Sequence, residues 1–325
     1  MSDQFVVTGG AGFIGSHLVH RLLAEGGRVR VVDNLATGKR ERLNDVRDAV
    51  EFLEGDLADP AVCEYALRDA NYVLHQAAIP SVQRSINDPV GTNEANITST
   101  LNVLAACRKH GVLRLVYAAS SSAYGNSPVL PKREDMPPSP LSPYALQKFV
   151  GERYCQLFFE LYGLETVGLR YFNVFGPGQD PYSEYSAVIP KFATRLQRGK
   201  SIVVYGDGEQ SRDFTYIDNV VEANMLALRA ARAAGSVVNV GCGERITLNR
   251  LIKILEDILE VRATVDYRPG RPGDVRDSLA DISRAQNLLG YRPTVPVTEG
   301  LRRTVAWFAS SAGHIVPASE SVAKL

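Results

Sequence analysis

Phe5-Val6-Val7-Thr8-Gly9-Gly10-Ala11-Gly12-Phe13-Ile14-Gly15 is a short apolar run that breaks into glycines at GxxGxxG spacing. A helical pattern carrying Leu18, Leu22 and Leu23 follows it and stops at Gly26-Gly27. Without a Cβ, Gly9, Gly12 and Gly15 let backbone amides approach a pyrophosphate, which would lie against the positive end of that helix. A glycine triad alone is a weak signal. Here strand, turn and helix come in order, and Asp33 closes the second apolar run eighteen residues after Gly15. A carboxylate at that point accepts from both hydroxyls of a ribose and repels a 2′-phosphate, so NAD is favoured over NADP, with Lys39 and Arg40 as the opposing signal. Turn formation and helix capping by themselves would not explain the four positions together.

Working outward, short β-branched runs at residues 5–7, 29–33, 50–53, 72–75, 113–118 and 166–169 alternate with helical patterns. Near-continuous apolar strands separated by helices predict an α/β fold, a doubly wound parallel sheet of the Rossmann type with helices on both faces. After Arg170 the rhythm turns irregular: loops at 175–181 and 268–274 lie between helical patterns near 186–198 and 248–260. These pieces predict a smaller, mostly C-terminal α/β substrate domain. A helix at 219–230 and a strand at 237–240 are expected to rejoin the main sheet. The expected division is 1–172 for the cofactor domain, rejoined by about 215–243, then 173–214 and 244–309 for the substrate domain. The stretch 310–325 is small, polar and aperiodic, which predicts a flexible tail.

With 45% hydrophobic residues in 325, the chain can bury a large core. Thirty-six basic and thirty-six acidic side chains cancel, leaving no electrostatic footprint for nucleic acid or an anionic membrane. An anionic ligand must then be held by a few local arginines. Cys63, Cys107, Cys155 and Cys242 lack CxxC spacing, so neither a metal site nor a disulfide framework is expected, and a reducing cytoplasm fits. No apolar run approaches the ~20 residues of a membrane span, and the start lacks a signal-peptide pattern, so a soluble, unexported protein is expected.

Ser142-Pro143-Tyr144-Ala145-Leu146-Gln147-Lys148 opens a helix, with Ser142 as cap and Pro143 in the first turn. Tyr144 and Lys148 then share one face. A tyrosine is a poor base at neutral pH, its free pKa being near ~10, unless a positive charge favours the phenolate. Lys148 and an oxidised nicotinamide are expected to supply that charge, making Tyr144 a general base for a hydroxyl whose carbon loses a hydride. YxxxK by itself is more often a surface pair. The run Ser120-Ser121-Ser122 follows the fifth strand at the carboxyl edge of the sheet, where ligands bind in this architecture. Asp56 after the third strand could accept from an adenine amine or simply cap its loop. His75 reads more readily as a satisfied core histidine than as a catalytic group.

Together these motifs resemble the extended short-chain dehydrogenase/reductase family, nearly along the whole chain to about Trp307. TGGAGFIG, DNLATG, HQAA, YAASSSAYG, SPYALQK, RYFNVFGPGQ, GDGEQSRDFTYIDN and RPGDVRDSLAD look like its nucleotide-sugar 4-epimerases, most of all the UDP-N-acetylglucosamine branch. The resemblance implies a tightly held NAD that takes hydride from C4 of a UDP-sugar and returns it to the other face of a 4-keto intermediate. It also implies that Ser120, Tyr144 and Lys148 are catalytic. Cofactor contacts are implied for Phe13, Ile14, Asn34, Gly38, Asp56 and Leu57, and for Gln76, Ala77, Ala78, Asn96 and Tyr171. The sugar would be lined by Ser81, Ser121, Ser122, Gln179, Ala187, Val188 and Tyr205. Asn173, Arg212, Arg271 and Asp274 would hold the diphosphate and uridine, arginine forks being suited to phosphate oxygens.

In relatives limited to plain hexoses a tyrosine resembles position 278, whereas Ser278 leaves room beside C2 for an N-acetyl group. Pro80 departs from the glycine expected in that wall. Related dehydratases need an acid and a base where this chain has Ser121-Ser122, and decarboxylases carry a glutamate at the position of Ser122. A UDP-glucuronate 4-epimerase or decarboxylase of the same family, or an NAD-sensing regulator without chemistry, are the competing readings. Leu146, Phe149, Val150, Tyr154, Leu157, Phe158 and Leu161 give helix Pro143–Tyr162 more apolar surface than one sheet contact requires, which predicts a homodimer.

Overall fold

In a computed structural model, which describes residues 3–181, 187–270 and 275–311, the six apolar runs of the first half all become strands of one sheet. They are β1 (Gln4–Thr8), β2 (Arg28–Asp33), β3 (Val50–Glu54), β4 (Tyr72–His75), β5 (Arg114–Ser120) and β6 (Glu165–Tyr171), joined by β7 (Ser236–Val240). All neighbours pair in parallel, in the spatial order β7-β6-β5-β4-β1-β2-β3. The order reverses between β1 and β4, and in an open parallel sheet such a reversal leaves a crevice beyond the carboxyl ends of the strands. Thr8, Asp33, His75 and Ser120 stand at those ends.

Alternation along each strand explains why both sheet faces are covered. Val7, Val31, Leu74 and Val116 pack on one face with helices Phe13–Ala24 and Ile217–Arg229, while Val6, Val32, Val73 and Leu115 pack on the other with Ser99–His110 and Pro143–Tyr162. Strand β5 begins one residue later than the apolar pattern implies and continues to Ser120, with Leu113 left exposed. The helices expected at 219–230 and 248–260 are Ile217–Arg229 and Leu248–Leu259, the latter ended by Glu260 in the left-handed region. The helix expected at 186–198 spans Val188–Gln197, and Ser186 lies outside the described residues. Beyond the main sheet, short strand pairs join Ile202–Tyr205 to Val265–Arg268, Val174–Phe175 to Thr215–Tyr216, and Ser211–Arg212 to Ile246–Thr247. The expected tail from 310 overlaps helix Val297–Ser311 at its start, and the rest of it lies outside the described residues.

Helix Pro143–Tyr162 is held at its start and near its middle. The Ser142 hydroxyl accepts from Ala145 N at 3.2 Å, so the capping expectation is met. Further along, Arg170 of β6 forks onto Glu152 at 2.8 and 2.7 Å, with both side chains buried. A bidentate buried pair fixes orientation as well as position. Of the helix's apolar residues, Phe158 is buried in the core, while Leu146 and Leu161 are exposed. No helix among the described residues is long and apolar enough to cross a membrane.

Candidate active site

The glycine turn has the geometry its sequence calls for. Gly9 sits at φ +66°, and a Cβ on it would lie 2.7 Å from the amide nitrogen of Ala77; a Cβ on Gly15 would overlap the carbonyl oxygen of Gly9. Any larger residue would therefore separate β1, β4 and the helix that starts at Phe13. The turn forms one wall of a cavity of about 1110 Å³. Single small-molecule sites usually measure ~300–1,000 Å³, so this cavity has room for a dinucleotide and a second ligand.

Along the wall beyond β2, the Asp33 carboxylate accepts from Ala11 N at 3.0 Å and Leu35 N at 2.8 Å. A carboxylate offers about four acceptor positions, so two remain for ribose hydroxyls. Burial raises its pKa, partly countered by these two amides. Gly38 is required here, because a Cβ on it would lie 2.7 Å from the Asp33 carboxylate. Lys39 is engaged by Asp180 at 3.0 Å, and Arg40 stands over the Phe52 ring at 4.3 Å, so neither of the two cations that argued for NADP waits for a 2′-phosphate. Asp56 accepts from Ala58 N at 2.8 Å, as a loop cap does, and from the Asn34 amide at 2.9 Å, while still lining the cavity. The cradle and the acidic ribose-binding position together fit NAD.

Of the expected cofactor contacts, Gly9, Gly12, Phe13, Ile14, Gly15, Asp33, Asn34 and Gly38 line the cavity, as do Asp56, Leu57, Gln76, Ala77, Ala78 and Tyr171. Asn96 does not. Its side chain accepts from Ile79 N at 2.7 Å and donates to Gln147 Oε1 at 2.8 Å, so it braces the wall from behind. His75 is the satisfied core histidine expected: its ring nitrogens meet the hydroxyls of Thr8 (2.7 Å) and Thr100 (3.0 Å), and burial brings its pKa down to about 3.

Tyr144, Lys148 and Ser120 converge on the same cavity. The Lys148 ammonium donates to the Ala118 carbonyl at 2.9 Å, and burial brings its pKa down to about 8. Burial raises the Tyr144 phenol above its ordinary range, and a hydrogen bond with Ser120 offsets part of that shift. The Lys148 ammonium is thus held by a carbonyl inside the buried site whose lining it shares with the phenol. Ser120 is in turn engaged by the Ser122 hydroxyl at 2.8 Å. A residue absent from the sequence reading also acts here: the Ser85 hydroxyl accepts from the backbone N–H of Tyr144 at 3.0 Å.

On the far side, Ser81, Ser121, Ser122, Asn173, Gln179, Ala187, Arg212 and Ser278 line the cavity. Val188 and Tyr205 lie outside its lining, and Arg271 and Asp274 lie outside the described residues. Ser278 is buried and donates its amide to Ser211 O at 3.1 Å. The segment that carries it is fixed by Asp213, whose carboxylate accepts from Ala280, Cys242 and Gly243 at 3.1, 2.8 and 3.0 Å and is pushed up to about 6 by burial. The buried side-chain oxygen of Gln179 has no hydrogen-bond partner among the described residues.

The glycine wall and the 176–180 loop are strapped together by contacts that no local pattern signals. Arg42 donates to Ala11 O and to Gly178 O, both at 3.0 Å, His17 meets Pro177 O at 2.9 Å, and Lys39 meets Asp180 at 3.0 Å.

The chain matches the NAD dependent epimerase/dehydratase family over residues 5–241. It belongs to that family. NAD is its cofactor, in agreement with the cradle. Among solved structures, UDP-N-acetylglucosamine 4-epimerase from Methanobrevibacter ruminantium M1, in complex with UDP-N-acetylmuramic acid, is 44% identical with a TM-score of 0.91, covering 96% of this chain and 100% of that one. A putative UDP-glucose 4-epimerase of Methanocaldococcus jannaschii is 38% identical over 95% of this chain and 99% of its own length. A UDP-glucuronate 4-epimerase of Thermodesulfobacterium geofontis is 36% identical over 93% and 95%. These relatives are UDP-sugar 4-epimerases, and this chain groups with them.

The Lys39–Asp180 pair joins two segments that line the cavity. For the double variant Lys39→Ala/Asp180→Ala, the fraction of purified protein carrying NAD, measured by absorbance after acid release, is expected to fall severalfold below wild type. An unchanged fraction would assign the strap to folding alone.

Proposed function

We propose that this chain interconverts UDP-N-acetylglucosamine and UDP-N-acetylgalactosamine, with UDP-glucose and UDP-galactose as smaller substrates of the same pocket. The observation that carries the reading is Ser278: a small, buried side chain lines the cavity that Tyr144 and Lys148 also line. Gln179 supports it, since a buried amide oxygen without a partner among the described residues suits the N–H of an N-acetyl group.

Bound NAD supplies the acceptor, and then the donor, of the hydride at C4. The residues of the chain handle the proton and the orientation. Tyr144 Oη takes the proton of the C4 hydroxyl and returns it when the ketone is reduced on its other face. Ser120 donates its one hydroxyl proton to the Tyr144 phenolate and stabilises it, with Ser122 donating to the Ser120 hydroxyl and holding it in place. Lys148 adds positive charge in a site where burial makes charge effects strong. Because its own pKa is brought down to about 8, that charge is lost as pH rises through that value, and the rate is expected to fall with it. Arg212 and Asn173 would hold the diphosphate and uridine, so that only the sugar turns over between the two hydride steps.

UDP-GlcNAc, UDP-glucose and UDP-glucuronate incubated side by side with the purified protein, with products followed by proton NMR, test this reading. Formation of UDP-GalNAc is expected. Conversion of the other sugars with UDP-GlcNAc untouched would overturn it. Leu146 and Leu161, exposed on helix Pro143–Tyr162, support a homodimer through that face, and a monomeric mass at micromolar concentration would contradict it.

A further inference from the structure

Gln147 stands in helix Pro143–Tyr162, three residues after Tyr144 and one before Lys148, and it is buried. It does not line the cavity. Its amide is spent behind the wall: Oε1 accepts from Asn96 Nδ2 at 2.8 Å, and Nε2 donates to Thr92 Oγ1 at 3.1 Å. Any buried amide needs such partners, so these two bonds alone would make Gln147 an ordinary packed residue. What sets it apart is where the bonds lead.

Asn96 belongs to one turn of π-helix, Glu94–Thr98, set between helices Pro89–Asn93 and Ser99–His110. Such turns are rare and frequently mark functional sites. From this turn Asn96 reaches the cofactor wall by two routes. Its side-chain oxygen accepts from Ile79 N at 2.7 Å, and Ile79 continues the cavity-lining run Gln76-Ala77-Ala78 that follows β4. Its backbone oxygen accepts from the Thr100 hydroxyl at 2.7 Å. That hydroxyl meets His75 Nε2 at 3.0 Å, and His75 Nδ1 meets the hydroxyl of Thr8, the residue before the glycine turn, at 2.7 Å. Thr8, His75, Asn96 and Thr100 are all buried. The Glu152–Arg170 fork ties the same helix to β6, and the Lys148 ammonium reaches β5. Gln147 links it to the end of β4.

We propose that Gln147 is a positioning residue: through Asn96 it locks the helix of Tyr144 and Lys148 to the cofactor wall and so sets the spacing between the acid-base pair and the cofactor. This rests on the role given to Tyr144, and not on which UDP-sugar is turned over. Misplacing reacting groups by ~1 Å costs about 10²-fold in rate even when the altered residue lies away from the chemistry. Substrate affinity should be spared, because Gln147 touches neither Arg212 nor Asn173.

Gln147→Met keeps the length of the side chain and removes its amide, while Gln147→Glu keeps an acceptor for Asn96 Nδ2. Both would be assayed in NAD-bound protein with the UDP-sugar that wild type converts best, alone and combined with Tyr144→Phe. Gln147→Met is expected to lower kcat about 10²-fold with KM and NAD content close to wild type, and Gln147→Glu to recover part of the loss. Added to Tyr144→Phe, Gln147→Met is expected to cost little more, since a residue that acts through Tyr144 then has nothing left to position. An unchanged kcat, losses that multiply in the double variant, or a rise in KM and fall in NAD content that match the fall in kcat would overturn the assignment. Should Gln147→Met fail to fold, Gln147→Glu carries the same test, its partial loss falling on kcat alone. A wild type that converts UDP-glucose and leaves UDP-GlcNAc untouched would sink the substrate reading and not this one.

Discussion

Replacing Tyr144 by phenylalanine is expected to lower kcat for sugar epimerisation by about 10²–10⁴-fold, the usual contribution of a positioned acid-base group. Fold and cofactor content should be spared. The backbone N–H of Tyr144 keeps its bond to the Ser85 hydroxyl, the Ser142 cap does not involve the phenol, and the Glu152–Arg170 fork holds the helix further along. KM should change little, since the lost contact matters most in the transition state. The ratio of loss in kcat to change in KM, measured with NAD content confirmed, checks it. A variant with full activity would remove Tyr144 from the chemistry.

The second large effect concerns pocket size. Ser278→Tyr is expected to cut kcat/KM for UDP-GlcNAc by about 10–200-fold while UDP-glucose stays within a few fold, because a phenol ring would fill the space an N-acetyl group needs. Ser278 is buried on a segment that Asp213 pins through Ala280, so the wall has little freedom to retreat. Parallel kinetics on both sugars give the answer. Equal loss on the two would show that the ring damages the site generally.

The parts of this site that can be read from sequence are those whose signal is local. Gly9, Gly15 and Asp33 announce themselves by spacing within one strand-turn-helix unit, and Ser142 to Lys148 do so within two turns of helix. The six strands of the first half are legible for the same reason, since buried parallel strands are short apolar runs between helical patterns. Contacts between distant segments leave no such trace. Arg42 reaches Gly178, Lys39 reaches Asp180 and Ser85 reaches Tyr144, and in each case an ordinary polar residue acquires its role only from the fold. Asn96, matched by resemblance to a cofactor contact, bonds Ile79 and Gln147 through its amide, partners that no local pattern signals. Helical spacing puts Lys148 and Tyr144 on one face without fixing where the charge points. Lys148 points to Ala118.

The account depends on one hydrogen atom leaving C4 as hydride and coming back to the same carbon, never mixing with water. Running the reaction in deuterated water with UDP-GlcNAc as substrate and reading the C4 position of the product by proton NMR tests this most directly. UDP-GalNAc that retains its protium at C4 is the expected result. Deuterium at C4, or the absence of UDP-GalNAc from protein that carries its NAD, would contradict it.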